Sequence, residues 1–343
     1  MVVKTEKTLN LALQGGGSHG AFTWGALDCL LADGRLAFEG ISGTSSGAMN
    51  AAVLVSGLVK GGNSGAREAL RTFWETLARE FSNIFSTPFY TSIMDLFNSH
   101  ENPAVNNYLA LTRTFSPYQL NPMDMNPLRE LVAESVDFDL LRKDCPVKLF
   151  IAATQVKTGK LRIFENHELS CDTLMASACL PSLHQAVEIE GESYWDGGFS
   201  GNPPVFPLIF SCQSTDIAII MVQPLEIDEI PTTVEEIQNR TSELGFNSAF
   251  LREMRAIAFS KKMVEKEWIR SGKLESRMHN IHIHMIQNHQ PSSRFGSRSR
   301  YNTLPSFIDL FYREGYTSAE TWLEENYMSL GERSTIDIEK LFC

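Results

Sequence analysis

Two short apolar runs near the start of the chain are each followed by glycine or serine and then by a longer, mostly apolar segment. The first unit reads LNLALQ, GGGSHG and AFTWGALDCLLADG, and the second reads LAFEGISG, TSSG and AMNAAVLVSGLV. This order is typical of a strand, a loop and a helix. Two successive units predict a parallel sheet covered by helices, with functional groups at the carboxyl ends of the strands.

Later segments extend this architecture. VKLFIAATQVKTGKLRIFE predicts two strands joined at Thr158 and Gly159, and AVEIEGESYWDGG predicts a hairpin that turns near Glu190 and Gly191. DIAIIMVQP predicts a buried strand, and the helical spacing of apolar residues from 234 to about 273 predicts one long helix or two. The pattern as a whole predicts an α/β fold with a mainly parallel sheet.

Composition narrows the class of protein. The chain has 343 residues, of which 43% are hydrophobic and 21% charged, so it is long enough to bury a core without disulfides or metals. A net charge of −11 argues against general nucleic-acid binding. The six cysteines have neither CxxC nor zinc spacing, which favours free thiols in a reducing compartment. With no apolar run that fits a signal peptide or a membrane span, we expect a cytoplasmic protein.

The turn after the second strand carries a serine pair. GTSSG matches the pattern G-x-S-x-G with Ser45 at its centre, and Ser46 follows as the first residue of the predicted helix. A serine in a sharp strand-to-helix turn is exposed at the edge of the sheet, and the positive end of the helix favours an oxyanion. The pattern therefore makes Ser45 a candidate nucleophile, while the alternative is a serine that only caps the helix.

The glycine loop after the first strand is the second candidate element. Gly15, Gly16 and Gly17 lie at the start of a helix, where bare backbone N–H groups converge on an anion. In acyl transfer such a loop is an oxyanion hole, to which Ser46 offers a further backbone N–H. The alternative, a nucleotide-phosphate loop, is disfavoured because GGGSHG lacks the GK[ST] ending and no acidic residue ends the second strand.

A nucleophilic serine needs a base, and YWDGGFSGNPP offers Asp196 at the end of a hairpin strand. The two glycines that follow allow the carboxylate to lie against another turn, and Trp195 and Phe199 are bulky enough to exclude water. Desolvation raises a carboxylate pKa and makes Asp196 a better proton acceptor near neutrality. The alternative is an ordinary Asp-Gly turn in a hairpin.

These three motifs, in this order, resemble those of the patatin-like phospholipases, particularly their bacterial members. The resemblance covers residues 8 to 225 well and the C-terminal third weakly. It implies a patatin-like, three-layer α/β/α fold with a mainly parallel central sheet. We expect one domain over residues 1 to 343, with a core at 8 to 225 and a mainly helical C-terminal extension at 232 to 343.

The resemblance also implies the chemistry. By this likeness Ser45 is the nucleophile, Asp196 its sole partner in a Ser-Asp dyad, and Gly15, Gly16 and Gly17 form the oxyanion loop. The expected reaction is hydrolysis of fatty-acyl esters of phospholipids or other lipids through an acyl-serine intermediate, without metal or cofactor. The expected partners are the lipid substrate and, transiently, a membrane surface, but not nucleic acid.

One residue departs from the family pattern. The family's glycine loop usually carries Arg or Lys where this chain has His19. A permanent charge would thus become a titratable one, which predicts weaker anchoring of the loop or a different headgroup preference.

Alternatives remain open for several other residues. A Ser-His-Asp triad would use His184, in LPSLHQAV, and a noncatalytic lipid-binding module would keep the fold without the reaction. His282 and His284 share one face of a predicted strand and would fit a metal, although we interpret them as the polar side of a half-buried strand. SSRFGSRSR is predicted to be a mobile surface loop, with contact to a lipid phosphate as the alternative.

The segment 81 to 127 is unusual in composition. It holds eight aromatic residues, only four charged residues and five prolines. Such a segment needs an apolar surface to cover or an apolar ligand to meet. We expect a cap or flap over the acyl chain or against the membrane, and the alternative is simple packing over the sheet.

Overall fold

The computed structural model describes residues 7–85, 111–112, 114–143, 145–227, 230–265, 272–287 and 297–343. Side chains are described for these residues except at 81–85, 235, 265, 273–275 and 297–298. Much of the aromatic segment predicted as a cap, and the first part of SSRFGSRSR, therefore lie outside the described residues.

The described part of the chain forms one eight-stranded sheet. Seven strands follow the order β5-β6-β3-β2-β1-β7-β8, and the eighth, β4, also pairs with β3. Its strands are β1 (Lys7–Leu13), β2 (Leu36–Thr44), β3 (Lys148–Gln155), β4 (Leu161–Glu165), β5 (Val187–Ile189), β6 (Glu192–Asp196), β7 (Asp216–Met221) and β8 (His282–Gln287). The two predicted hairpins are present as β3–β4 and β5–β6. Glu190 and Gly191 both have positive φ, as a tight hairpin turn requires.

The α-helices come before, between and after these strands. They are α1 (Gly20–Asp33), α2 (Ser46–Phe85), α3 (Pro117–Leu120), α4 (Pro127–Ser135), α5 (Phe138–Arg142), α6 (Cys171–Ser177), α7 (Phe206–Ser211), α8 (Val234–Glu265), α9 (Lys273–Asn280), α10 (Pro305–Asn326) and α11 (Ile338–Phe342). Gly61 and Gly62 break α2 into two helical halves. None of the helices in the described ranges is both long and apolar enough to cross a membrane.

Five neighbouring strands run parallel, since β1 pairs in parallel with β2 and β7, β2 with β3, and β7 with β8. Their carboxyl ends therefore meet at one edge of the sheet. Thr44 pairs with Ala152, whereas the antiparallel strand β6 pairs Asp196 with Ala153. This register brings the end of β6 beside the turn that follows β2.

Helices cover both faces of the sheet, and each face has its own apolar core. On one face α1, α2 and α10 bury large side chains, among them Phe22, Leu27, Trp74 and Phe311. On the other face α7, α8 and α11 bury Leu208, Phe250, Met254, Ile257 and Phe342. Burying each such side chain stabilises the fold by roughly 1.5–3 kcal/mol. The prediction of a three-layer fold, with a mainly parallel sheet between two layers of helices, is confirmed.

Candidate active site

Ser45 lies at the sharp turn between β2 and α2. Its φ is +54°, a left-handed conformation that non-glycine residues rarely adopt and that costs of the order of 1–3 kcal/mol. Its N–H donates to Ser177 Oγ at 2.9 Å, and its carbonyl oxygen accepts from the N–H of Met49 in the first turn of α2. The serine is thus held at the carboxyl edge of the sheet, as the G-x-S-x-G pattern predicts.

The glycine loop packs directly on this turn. A Cβ at Gly15 would lie 2.5 Å from the carbonyl oxygen of Thr44 and 2.8 Å from Ser45 Cβ, so only glycine allows this approach. Gly17 has a φ of +61° and opens the short 3-10 helix Gly17–His19 that leads into α1. Both the loop and the serine turn therefore depend on the absence of side chains at these glycines.

Two of the three glycine N–H groups already have acceptors inside the protein. The N–H of Gly15 donates to Asn202 Oδ1 at 2.7 Å, and that of Gly16 donates to Ser46 Oγ at 3.0 Å. The N–H groups of Gly17 and Ser46 each begin a helix and have no intrahelical acceptor. In this conformation the N–H groups of Gly15 and Gly16 are occupied, whereas no acceptor among the described residues is recorded for those of Gly17 and Ser46.

Asp196 ends β6 and is almost completely buried, with 1% of its surface exposed. Its carboxylate accepts a hydrogen bond from the N–H of Gly198 at 2.7 Å, and it lies close enough to the Ser45 hydroxyl for hydrogen bonding with that group to act on its pKa. Burial raises the pKa of Asp196 to about 7, against the opposing effects of these two hydrogen bonds and of the nearby charge of Arg300. The carboxylate is thus both in contact with the serine and poised to take a proton near neutrality.

A cavity of about 300 Å³ opens onto this pair. Its polar end holds the predicted residues Gly15, Gly16, Gly17, Ser45, Ser46 and Asp196 together with Asn202, Gln223, Arg300, Tyr301 and Thr303. Its other walls are mainly apolar and consist of Met49, Phe73, Trp74, Leu77, Leu128, Ala178, Leu180, Leu183 and Phe246, with His184 among them. Cavities with apolar walls and a few convergent polar groups are typical of small-molecule and lipid sites.

His184 lines the same cavity, but its described hydrogen-bond contact is with Asn126, whose Nδ2 lies 3.4 Å from His184 Nδ1. Burial lowers the pKa of His184. The Ser45 hydroxyl instead lies beside the carboxylate of Asp196, whose pKa it lowers. This geometry favours a dyad over the alternative triad.

His19 is not the titratable charge that the sequence suggested. It is buried, its Nε2 lies 2.8 Å from Ser299 Oγ, and its ring stacks on Phe311 at a centroid distance of 4.7 Å. Burial, aided by the charge of Arg300, lowers the pKa of His19 to about 3. His19 is therefore neutral at physiological pH.

The interpretation of His282 and His284 as the polar side of a half-buried strand was wrong for His284, whereas His282 is partly exposed. β8 is buried on both faces, and His284 is fully buried. His284 Nε2 lies 2.9 Å from Asp216 Oδ1 and its Nδ1 lies 3.1 Å from Thr335 Oγ1. These bonds link β7 and β8 to the C-terminal segment. Among the described residues, no group of three or more His, Cys, Asp or Glu side chains is arranged to hold a metal ion.

SSRFGSRSR also differs from its prediction as a surface loop where the structure describes it. Ser299 and Arg300 are buried, and they pack against the glycine loop. Local sequence patterns do not signal this contact, because 280 residues separate His19 from Ser299. Asn202 and Ser177 were missed for the same reason, although each makes a hydrogen bond that fixes the site.

The solved structures that resemble the chain include VipD from Legionella pneumophila and the type III effector protein ExoU, for which another structure names Pseudomonas aeruginosa as the source. Both are 13% identical to the chain and cover 94% of it, with TM-scores of 0.40 and 0.38. The chain spans 67% of the VipD chain and 53% of the ExoU chain.

Among curated protein sequences, none matches the chain significantly. The sequence model of the patatin-like phospholipases matches residues 11–209, which is more than half of the chain and includes the end of β1, the serine turn and Asp196. The chain therefore belongs to the patatin-like phospholipase family.

Proposed function

We propose that this protein hydrolyses fatty-acyl esters of lipids through an acyl intermediate on Ser45, with Asp196 as the base. The observation that carries the proposal is that Ser45 and Asp196 line the same cavity, with the serine hydroxyl beside a buried carboxylate whose pKa is raised to about 7. Membership of the patatin-like phospholipase family supports a lipid hydrolase in general terms. The roles of the individual residues are our proposal.

The proposed reaction has two halves. As Ser45 Oγ attacks the ester carbonyl carbon, its proton passes to Asp196, and the protonated Asp196 then returns it to the departing alcohol oxygen. A water molecule next attacks the acyl-serine carbonyl and gives its proton to Asp196. As this second intermediate collapses, Asp196 gives that proton to the departing Ser45 Oγ, and the fatty acid is released, so both residues return to their starting protonation states.

Stabilisation of the oxyanion is assigned to the N–H groups of Gly17 and Ser46. Gly16 would join them if the Ser46 hydroxyl turned away, whereas Gly15 serves the loop through its bond to Asn202. Backbone donors of this kind contribute on the order of 100-fold or more to the rate, because they already point at the place where charge develops.

The mainly apolar walls of the cavity suit an acyl chain. Phe73, Trp74 and Leu77 lie on the second half of α2 and line this cavity. Exposed apolar side chains lie nearby in the described end of the predicted cap, namely Leu111, Phe115, Tyr118, Met123 and Met125. We propose that these residues touch the membrane surface from which the lipid enters. The cytoplasmic location and the division into core, cap and C-terminal extension stay predictions.

The test is hydrolysis of a mixed lipid extract, with the products identified by mass spectrometry. The wild-type protein should release free fatty acids, and Ser45→Ala should release none above background while keeping the wild-type melting temperature. Full activity of Ser45→Ala would refute the mechanism. Loss of activity in a folded His184→Ala variant would favour the triad, and an inert wild-type protein would favour a lipid-binding module.

A further inference from the structure

The polar end of the cavity contains a cation that comes from an unexpected part of the chain. Arg300 belongs to the 3-10 helix Ser297–Tyr301, in the C-terminal third, and lines the cavity together with Ser45 and Asp196. Its surface is only 9% exposed. Because His19 is neutral, Arg300 supplies positive charge where the glycine loop of this chain does not.

Specific contacts hold this arginine in place. The backbone of Arg300 lies so close to Gly17 that a Cβ on that glycine would collide with the Arg300 carbonyl oxygen. The neighbouring Ser299 bonds to His19, and the Arg300 guanidinium lies 6.0 Å from the centre of the Phe246 ring. The glycine loop and the 3-10 helix thus fix each other's position. The backbone of Arg300 is therefore held against the loop that packs on the serine turn.

The charge of Arg300 shifts the pKa values of two nearby groups. It lowers the pKa values of Asp196 and of Tyr301, which also lines the cavity, although burial has the larger effect on both and raises them. Arg300 is therefore a source of positive charge on the wall of the cavity, and such a charge attracts an anionic group of a ligand.

A second polar side chain of the cavity, that of Gln223, has an atom whose hydrogen bonding a ligand would complete. Gln223 is 8% exposed, and its Oε1 atom has no hydrogen-bond partner among the described residues. Gln223 lines the same cavity as Arg300. A buried carbonyl oxygen without a donor costs about 1–3 kcal/mol, and a hydroxyl group on a ligand would remove that cost.

We propose that Arg300 binds the phosphate group of the lipid substrate, with Gln223 accepting from a hydroxyl of its glycerol, so that the protein selects acyl lipids that carry a phosphate. A guanidinium forms paired hydrogen bonds with phosphate oxygens, which a neutral glyceride does not offer. This inference rests on the proposed function for the position of the lipid, but it concerns binding and is tested without hydrolysis.

The experiment uses ether lipids, which have no ester to cleave. Calorimetry measures the binding of a decyl ether of glycerophosphocholine and of a decyl ether of glycerol. Glycerophosphocholine itself, which has no alkyl chain, is the third ligand. The wild-type protein should bind the phosphate-bearing ether at least about tenfold more tightly than the neutral one. Glycerophosphocholine alone should bind weakly, because it does not reach the apolar walls.

Three variants separate the contributions. Arg300→Gln should remove the preference for the phosphate-bearing ether while keeping affinity for the neutral ether, and Arg300→Lys should restore part of it. The matched control is Arg313→Gln, since Arg313 is an exposed arginine on α10 paired with Asp309. This control should keep the full preference.

Two results would overturn the proposal. One is a wild-type protein that binds both ethers equally, and the other is an Arg300→Gln variant that keeps the preference or loses both affinities together. The outcome is separate from that of the proposed function. If the protein prefers the phosphate-bearing ether but cleaves no ester, the proposed hydrolase activity is refuted and the role of Arg300 is not. If it hydrolyses esters but binds both ethers equally, the role of Arg300 is refuted and the hydrolase activity is not.

Discussion

At the residue scale, the Ser45–Asp196 pair makes a demand on the basicity of its carboxylate that a Ser-His-Asp triad does not make. With no imidazole between them, the carboxylate itself must accept the serine proton, and an ordinary aspartate is too weak a base near neutrality. Burial at the end of β6 raises the pKa of Asp196 to about 7 and so meets this demand. The sequence predicted this desolvation from the bulky neighbours of Asp196, but not the Gly198 bond or the Arg300 charge that oppose it.

The pH dependence of kcat/KM should show an acid limb near pH 7. Asp196 accepts a proton only when ionised, so activity is present above its pKa and is lost as the pH falls through about 7. The measurement is kcat/KM for a short, monomeric ester between pH 5 and 9. Arg300→Gln should move the limb to higher pH, because removing the cation raises the pKa of Asp196 further.

Glu253 provides the control for this assignment. Its pKa is also raised to about 7 by burial, but its carboxylate accepts from the N–H groups of Val205 and Phe206 at the start of α7. Glu253→Gln should leave the limb where it is. A limb that disappears in Glu253→Gln would contradict the assignment to Asp196.

The two adjacent serines should behave differently. Ser45→Ala should lower kcat by at least about a thousandfold, because it removes the nucleophile. Ser46→Ala keeps its backbone N–H and loses only the hydroxyl that accepts from Gly16, so we expect less than about a tenfold loss. Steady-state kinetics with the same monomeric ester compare the two, and equal losses would count against our assignment of the nucleophile.

At the element scale, the site is made where two strand-to-helix turns meet. Local patterns predicted both turns, since a short apolar run and glycines carry the information for each. They did not predict the bonds between elements, such as Gly15 to Asn202 or Ser45 to Ser177, because these depend on how distant segments pack. The burial of His284 was misjudged for the same reason: alternation within one strand does not show that both faces of the sheet are covered.

The described end of the predicted cap, residues 111–112 and 114–127, carries the proposed membrane contact. It joins the cavity wall through Gln185 Nε2, which donates to the carbonyl oxygen of Asn121 at 2.8 Å. Replacing Met123 and Met125 by Glu should lower activity on phospholipid vesicles about tenfold or more and leave activity on a monomeric ester unchanged. Both side chains are largely exposed, at 81% and 69%, so the fold should tolerate the changes.

A matched control is available on the far side of the molecule. Met328 is 78% exposed beside Tyr327, whose carbonyl oxygen binds Lys7 at the opposite edge of the sheet. Met328→Glu should keep activity on vesicles. Equal losses for the two sets of changes, or a loss on the monomeric ester, would refute the membrane contact.

At the scale of the whole molecule, the C-terminal third completes both the sheet and the cores. It supplies β8, α8 and α10, and α10 packs on α1. The likeness to the family was weakest here, and composition alone did not reveal that Arg300 reaches the cavity. The sequence predicted the frame of the fold but not how its last part closes the site.

We therefore expect the chain to unfold as one unit. Calorimetry should show a single transition, and a chain shortened to residues 1 to 225 should be unfolded or aggregated, because β7 would lose β8 and both cores would be exposed. A shortened chain that folds and keeps wild-type activity would contradict a single domain.

The most direct test of the central claim is labelling with a fluorophosphonate, followed by peptide mapping. The reagent reacts with a serine only when a base and an oxyanion site activate it. The account predicts one adduct per chain, on Ser45, absent from Ser45→Ala and strongly slowed in Asp196→Asn. An adduct on another residue, or ester hydrolysis by a wild-type protein that takes no label, would contradict it.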